Sequence, residues 1–313
     1  MTPVGQLLLV LDGQRARVLL SIVLLAVTVA AGVALMATSA GLISTAALHP
    51  AIAVLQVAVV GVRFFGISRG IFRYLERVVS HDTTFRLLAL LRVRIYRGLV
   101  PWLPGRLPQA RSGDLLARFV ADVDTLEHAF LRVVAPACAA LVVVTAVAAT
   151  LAAFGASIAL AATAALVLAA TFAPWLGWRL GRVPGEALVA CRASLSARIV
   201  DHVQGLADLL AFGRAGDHGR DTHVVGEALA SAQVQAARAS ASGGMTVTLL
   251  ADLGVLAVLA SAIPAVRAQH VSGVNLAVVA LLTLAAFEAV AALPAAAQGM
   301  AAARAAAARV FSI

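Results

Sequence analysis

The 313-residue sequence contains no lysine; all 24 of its basic residues other than histidine are arginine. That absence removes a mechanism. A P-loop sets a lysine on the nucleotide phosphates, so a chain without lysine holds no standard ATP-binding site of that kind. Charge is scarce too, at 12% of residues, against about 25% in an average soluble domain. With 62% hydrophobic residues and a mean hydropathy of +0.96, a water-soluble globule is excluded. The apolar runs are continuous rather than alternating, which points to an all-α polytopic membrane protein and away from a β-barrel. Cys138 and Cys191 form no CxxC pair and read as small apolar residues, with no disulfide or metal framework.

Six crossings are expected. The first, about 18–42, is an uncharged stretch from Val18 to Leu42; the short apolar run from Gln6 to Leu11 before it reads as interfacial. After the His49-Pro50 turn the pattern stays helical from Ala51 to Pro101. A helix of that length spans about 75 Å against a hydrocarbon core of about 30 Å. The second crossing is therefore about 51–80, and the part carrying Arg86, Arg92, Arg94 and Arg97 projects into water. No charge occurs between Arg132 and Arg179, which leaves room for crossings at about 131–153 and 158–178 with a hairpin near Phe154-Gly155-Ala156-Ser157. Crossings at about 243–263 and 275–297 complete the set.

Arginine placement orients the chain, because positive charge accumulates in cytoplasmic segments. With the N-terminus cytoplasmic, Arg267 is the only arginine in an outer loop, Arg63 and Arg69 lie on the second crossing, and the remaining 21 are cytoplasmic or at that interface. The same distribution explains a net charge of +9 and a pI of about 11.3 without nucleic acid as a partner; membrane lipid is the expected surroundings.

The outer loops are short, whereas the inner excursions at about 83–130 and 182–240 are long and helical. Stalks that continue tens of ångströms beyond the membrane need a partner there. At the tip of the first, Pro101, Pro104 and Pro108 break the helix and a new one begins, with Ser112 placed to cap it and Asp114 in its first turn. This segment resembles the first coupling helix of ABC exporters, with Arg111, Gly113, Asp114, Leu116, Arg118, Asp122 and Asp124 at the family's spacing.

A more specific resemblance lies in GIFRYLERVVSHDTTF, from Gly70 to Phe85, together with DVDTLEHAFLRVVAP, LADLLAFGRAGD and LAAFEAV. These are similar to the CydC-type subunits of heterodimeric CydDC-type ABC exporters and are spread along the chain from end to end. The resemblance implies the six-helix transmembrane domain of an ABC exporter (type I exporter, or type IV), multi-pass in the bacterial cytoplasmic (inner) membrane. It implies a CydD-like half-transporter as partner, and ATP bound only by nucleotide-binding domains that would follow the Arg309–Ile313 end. Transport of thiols (cysteine or glutathione) or haem, in support of cytochrome bd assembly, is the implied activity. Rival readings are a haem-holding assembly or sensor protein that transports nothing, and a generic lipid or drug half-exporter. The chain alone is not expected to be an enzyme.

Arg69, Arg73, Arg77 and His81 recur every four residues on the second helix, with Tyr74 beside them. Such a basic stripe either snorkels to the headgroups or holds an anion. The resemblance implies haem b, with His81 as axial ligand to the haem iron and Arg77 near the propionates; Met300 is a candidate second ligand. The chemistry is compatible, since neutral imidazole ligates iron and guanidinium pairs with carboxylate. Among the intramembrane polar residues, Asp252 and Glu288 either pair with Arg63 or Arg69 or line a substrate path. His128, His202, His218 and His223 read as solvated.

Overall fold

A computed structural model describes residues 14–99, 133–213 and 215–311, so Arg111, Gly113, Asp114, Arg118, Asp122 and Asp124 of the expected coupling helix lie outside the described residues. Every regular element among the described residues is a helix: α1 (Arg15–Ala46), α2 (Ile52–Leu99), α3 (Ala135–Ala152), α4 (Ala156–Gln204), α5 (Leu206–Ala211), α6 (Ala215–Arg267), α7 (Gly273–Val290) and α8 (Leu293–Phe311). Among the described residues, six segments are long and apolar enough to cross a bilayer: Arg15–Ala46, Ile52–Val93, Ala135–Ala152, Ala156–Gln204, Gly219–Arg267 and Gly273–Met300. The helices outrun the membrane in three places, since the 48, 49 and 53 residues of α2, α4 and α6 correspond to about 72 to 80 Å at 1.5 Å per residue.

The turn between α3 and α4 falls at the expected hairpin. Gly155 stands at φ 151°, a conformation that L side chains rarely adopt, and α4 starts at the next residue. Two boundaries differ from expectation. The second inner excursion is divided at Gly205 to Gly213 by the six-residue helix α5, where Gly213 at φ 67° ends a helical run. The sixth crossing is also broken, at Ala291-Ala292, before α8 begins. Pro294 explains that break: it has no N–H to donate and its ring opposes the helix behind it, so it suits the first turn of a new helix.

The core lies where α3, α4, α6 and α7 meet, with Leu151, Ile158, Val258, Val279 and Val290 fully buried at 0% exposure. α4 and α6 pack along each other, and α7 contacts α1, α3, α4 and α6. In contrast, α2 packs mainly on α1, and its apolar stretch is the least covered of the six. Small residues set the helix spacing, as expected where lipid supplies no hydrophobic drive. A Cβ at Gly243 would lie 2.7 Å from the Pro294 Cβ, and one at Gly177 would lie 3.2 Å from the Gln298 amide nitrogen.

Gly254 gives a direct test of this packing, since its Cβ would fall 2.9 Å from the Ala165 Cβ and 3.3 Å from the Phe287 ring. Gly254→Ala is expected to destabilise the bundle by roughly 1 to 3 kcal/mol through overpacking. Gly244, with nothing within 4 Å, should accept alanine with a gain of up to about 1 kcal/mol in helix propensity. Thermal unfolding of the two variants in detergent checks the contrast, and equal behaviour would refute close packing at Gly254.

Candidate functional site

Four-residue spacing on an α-helix is not a straight file, because each step advances about 40° around the axis. From Arg69 to His81 the stripe therefore turns by about 120°, and the structure separates its two ends. Arg69 faces inward, where its Nη2 donates a 2.7 Å hydrogen bond to Glu288 Oε1 on α7. The bridge reaches past α1 at Gly32, whose Cβ would lie 3.2 Å from the Arg69 guanidinium and 3.4 Å from Glu288 Oε2. Glycine at this point leaves room for an ion pair that fastens α2 to α7 across α1.

Glu288 thus has Arg69 as its partner. Asp252 is exposed on α6 and Arg63 is exposed on α2, and neither makes an ion pair or hydrogen bond among the described residues. The pairing alternative therefore holds for Glu288 with Arg69.

The other end of the stripe is open. Gln56, Arg63, Tyr74 and His81 fall within about 20° of one another around the α2 axis, with Arg77 about 40° to one side of His81; all five are exposed. Gly66 and Gly70 lie between them with open space where a Cβ would stand. The Phe85 ring lies 6.0 Å from the His81 imidazole at an interplanar angle of 31°, one helical turn further on.

Sequence reasoning missed two carboxylates here. Glu76 is half-buried, lies close to Ser80, and sits in the field of Arg77, His81 and Arg73. Its position three residues after Arg73 and four before Ser80 was the available signal. Asp82, next to His81 in the chain, accepts 2.9 Å and 3.0 Å hydrogen bonds from Arg86 Nε and a 3.2 Å hydrogen bond from Arg17 Nη1. That cluster ties the start of α1 to α2.

Met300 lies on α8, which packs chiefly on α4, α6 and α3 rather than on α2. No group of three or more His, Cys, Asp or Glu side chains suited to a metal ion occurs among the described residues. Cys138 and Cys191 are free thiols. His223 is exposed beside Glu227, with 3.7 Å between Nδ1 and Oε1. Apolar side chains mark the tip of the second stalk, where Leu210 is 65% and Phe212 is 80% exposed.

No protein-family model matches the chain. Individual proteins do. The glutathione/L-cysteine transport system ATP-binding/permease protein CydC of Escherichia coli is 32% identical over 276 residues, covering 87% of this chain and 48% of that protein. CydC of Haemophilus influenzae is 36% identical over 151 residues, covering 48% of this chain and 26% of the relative. The CydD protein of the same description from Bacillus subtilis is 33% identical over 203 residues, covering 64% and 35% respectively. At its greatest coverage the chain spans about half the length of a relative, and the six apolar helices place the likeness in the permease portion. The chain is a homologue of the CydC/CydD ABC transporter ATP-binding/permease proteins, matching their transmembrane region.

Proposed function

We propose that the chain is the transmembrane half of a CydC-like exporter subunit in a bacterial inner membrane, with its N-terminus cytoplasmic. It pairs with a CydD-like half-transporter, and ATP hydrolysed in nucleotide-binding domains drives a thiol such as cysteine or glutathione, or haem, across the membrane. The observation that carries this reading is the pair of long stalks, α4 and α6, which run together well beyond bilayer thickness to a tip at Gly205 to Gly213. A protein that only held a cofactor within the membrane would have no use for such extensions. The exposed Leu210 and Phe212 at the tip supply apolar area for a docking partner.

The open face of α2 supports haem b as a ligand of the same protein. The residues that would hold it are His81, for the iron, and Arg77, for a propionate, with Tyr74 alongside. When bound, the group would supply an iron centre whose ligation is read from its absorption spectrum. His81 would hold the iron and Arg77 would neutralise a propionate, with the Phe85 ring beside the imidazole.

Phe212→Cys in the complete transporter tests the docking reading. The cysteine should crosslink to a nucleotide-binding domain and should react with a membrane-impermeant maleimide only from the cytoplasmic side. Labelling from the opposite side, or crosslinks confined to lipid, would overturn both the orientation and the docking role.

A further inference from the structure

We propose that Arg63 is a carboxylate-binding station midway through the membrane, on a track along the open face of α2 that an anionic, amphipathic substrate follows; the inference rests on the exporter reading above. Arg63 lies 11 residues into α2 from Ile52, about 16 Å along the helix and close to the middle of a hydrocarbon core of about 30 Å. An arginine side chain cannot reach either headgroup layer from that depth, so snorkelling does not explain it. A charge held there must face a polar cavity or a counter-charge.

The chain treats Arg63 and Arg69, the two arginines nearest the start of α2, differently. Arg69 is neutralised by Glu288 at 2.7 Å, in a slot that Gly32 keeps clear. Arg63 points away from that pair and meets no carboxylate among the described residues. It shares its face with Gln56 above, and with Tyr74 and His81 below. Gly66 and Gly70 leave the backbone between them uncovered, with nothing within 4 Å. The face thus offers hydrogen-bonding groups at intervals between apolar side chains such as Ile67, which is 65% exposed. That alternation suits a ligand with an apolar body and at least one carboxylate, which guanidinium binds by two parallel hydrogen bonds. The carboxylates of glutathione and the propionates of haem share the group that guanidinium binds, and haem adds the apolar body.

The test uses the assembled transporter, with its partner half and nucleotide-binding domains, in proteoliposomes. Labelled glutathione, its glycyl monoethyl ester and haem are the probes. Arg63→Gln should lower kcat/KM for glutathione or for haem by about 10- to 100-fold, the loss expected for one charge-assisted contact. It should also abolish the preference for glutathione over its ester, while Arg63→Lys keeps part of it. A loss confined to glutathione identifies the peptide as the source of the carboxylate, and one confined to haem identifies the propionate. Unchanged kinetics in Arg63→Gln would overturn the proposal. So would dissociation of the two halves on gel filtration, because Arg63 would then be an ion-pair residue between them. If the unaltered transporter hydrolyses ATP yet moves none of the probes, the exporter reading fails with these cargoes and the track fails with it, a result distinct from failure at Arg63 alone.

Discussion

On the proposed haem reading, His81→Ala is expected to abolish the Soret band of the haem-loaded protein in the membrane, at unchanged expression. The residue is exposed on the open face of α2, against Phe85, so truncation leaves no cavity and the fold should tolerate it. Loss of the imidazole removes the coordination bond itself. Arg77→Ala removes only a propionate contact, worth about 1.5 to 3 kcal/mol as a charge-assisted hydrogen bond, and should weaken binding by about 10- to 150-fold while the band persists at high haem. Spectral titration of the two variants separates ligation from charge pairing. If neither substitution changes the spectrum, His81 is an interfacial residue and the protein a generic half-exporter.

Much of the fold was legible because bilayer thickness and helix rise leave few choices. Uncharged runs such as Val18 to Leu42 can only be spans, and the His49-Pro50 and Phe154–Ser157 turns fall where the chain has to reverse. The break at Ala291-Ala292 was harder to read, because alanine on both sides of Pro294 keeps hydropathy high across a discontinuity. The division at Gly205 to Gly213 was also hidden in helical periodicity: its glycines mark the turn, but the intervening LADLLA is itself a good helix former.

The candidate site was legible in composition and not in direction. Residues spaced by four look like one stripe, yet the turn of about 40° per step sends Arg69 to Glu288 and leaves His81 in the open. Which carboxylate belongs to which arginine depends on how α7 lies beside α1, and that packing is set by tertiary contacts at positions such as Gly32. No local pattern encodes it. The i, i+4 pair of Asp82 with Arg86 was readable, whereas Arg17, 65 residues away, was not.

The Arg69–Glu288 bridge also makes a stability prediction with a defined sign. Arg69 lies 17 residues into α2 and Glu288 lies 15 residues into α7; at about 1.5 Å per residue they reach similar depths of about 22 to 26 Å from the same membrane face. Replacing either one leaves its partner charged in a region with little water, at a cost of roughly 1 to 3 kcal/mol. Arg69→Leu and Glu288→Leu should each lower the unfolding temperature in detergent, and the double variant should be more stable than the sum of the two losses implies. The recovered coupling is expected at about 0.6 to 1.7 kcal/mol, the range of polar contacts between membrane helices. Exchanging the residues, as Arg69→Glu with Glu288→Arg, should restore part of the stability, because Gly32 leaves space for either arrangement. Strict additivity in the cycle would mean that the bridge does not fasten α2 to α7, and that α2 is held by α1 alone.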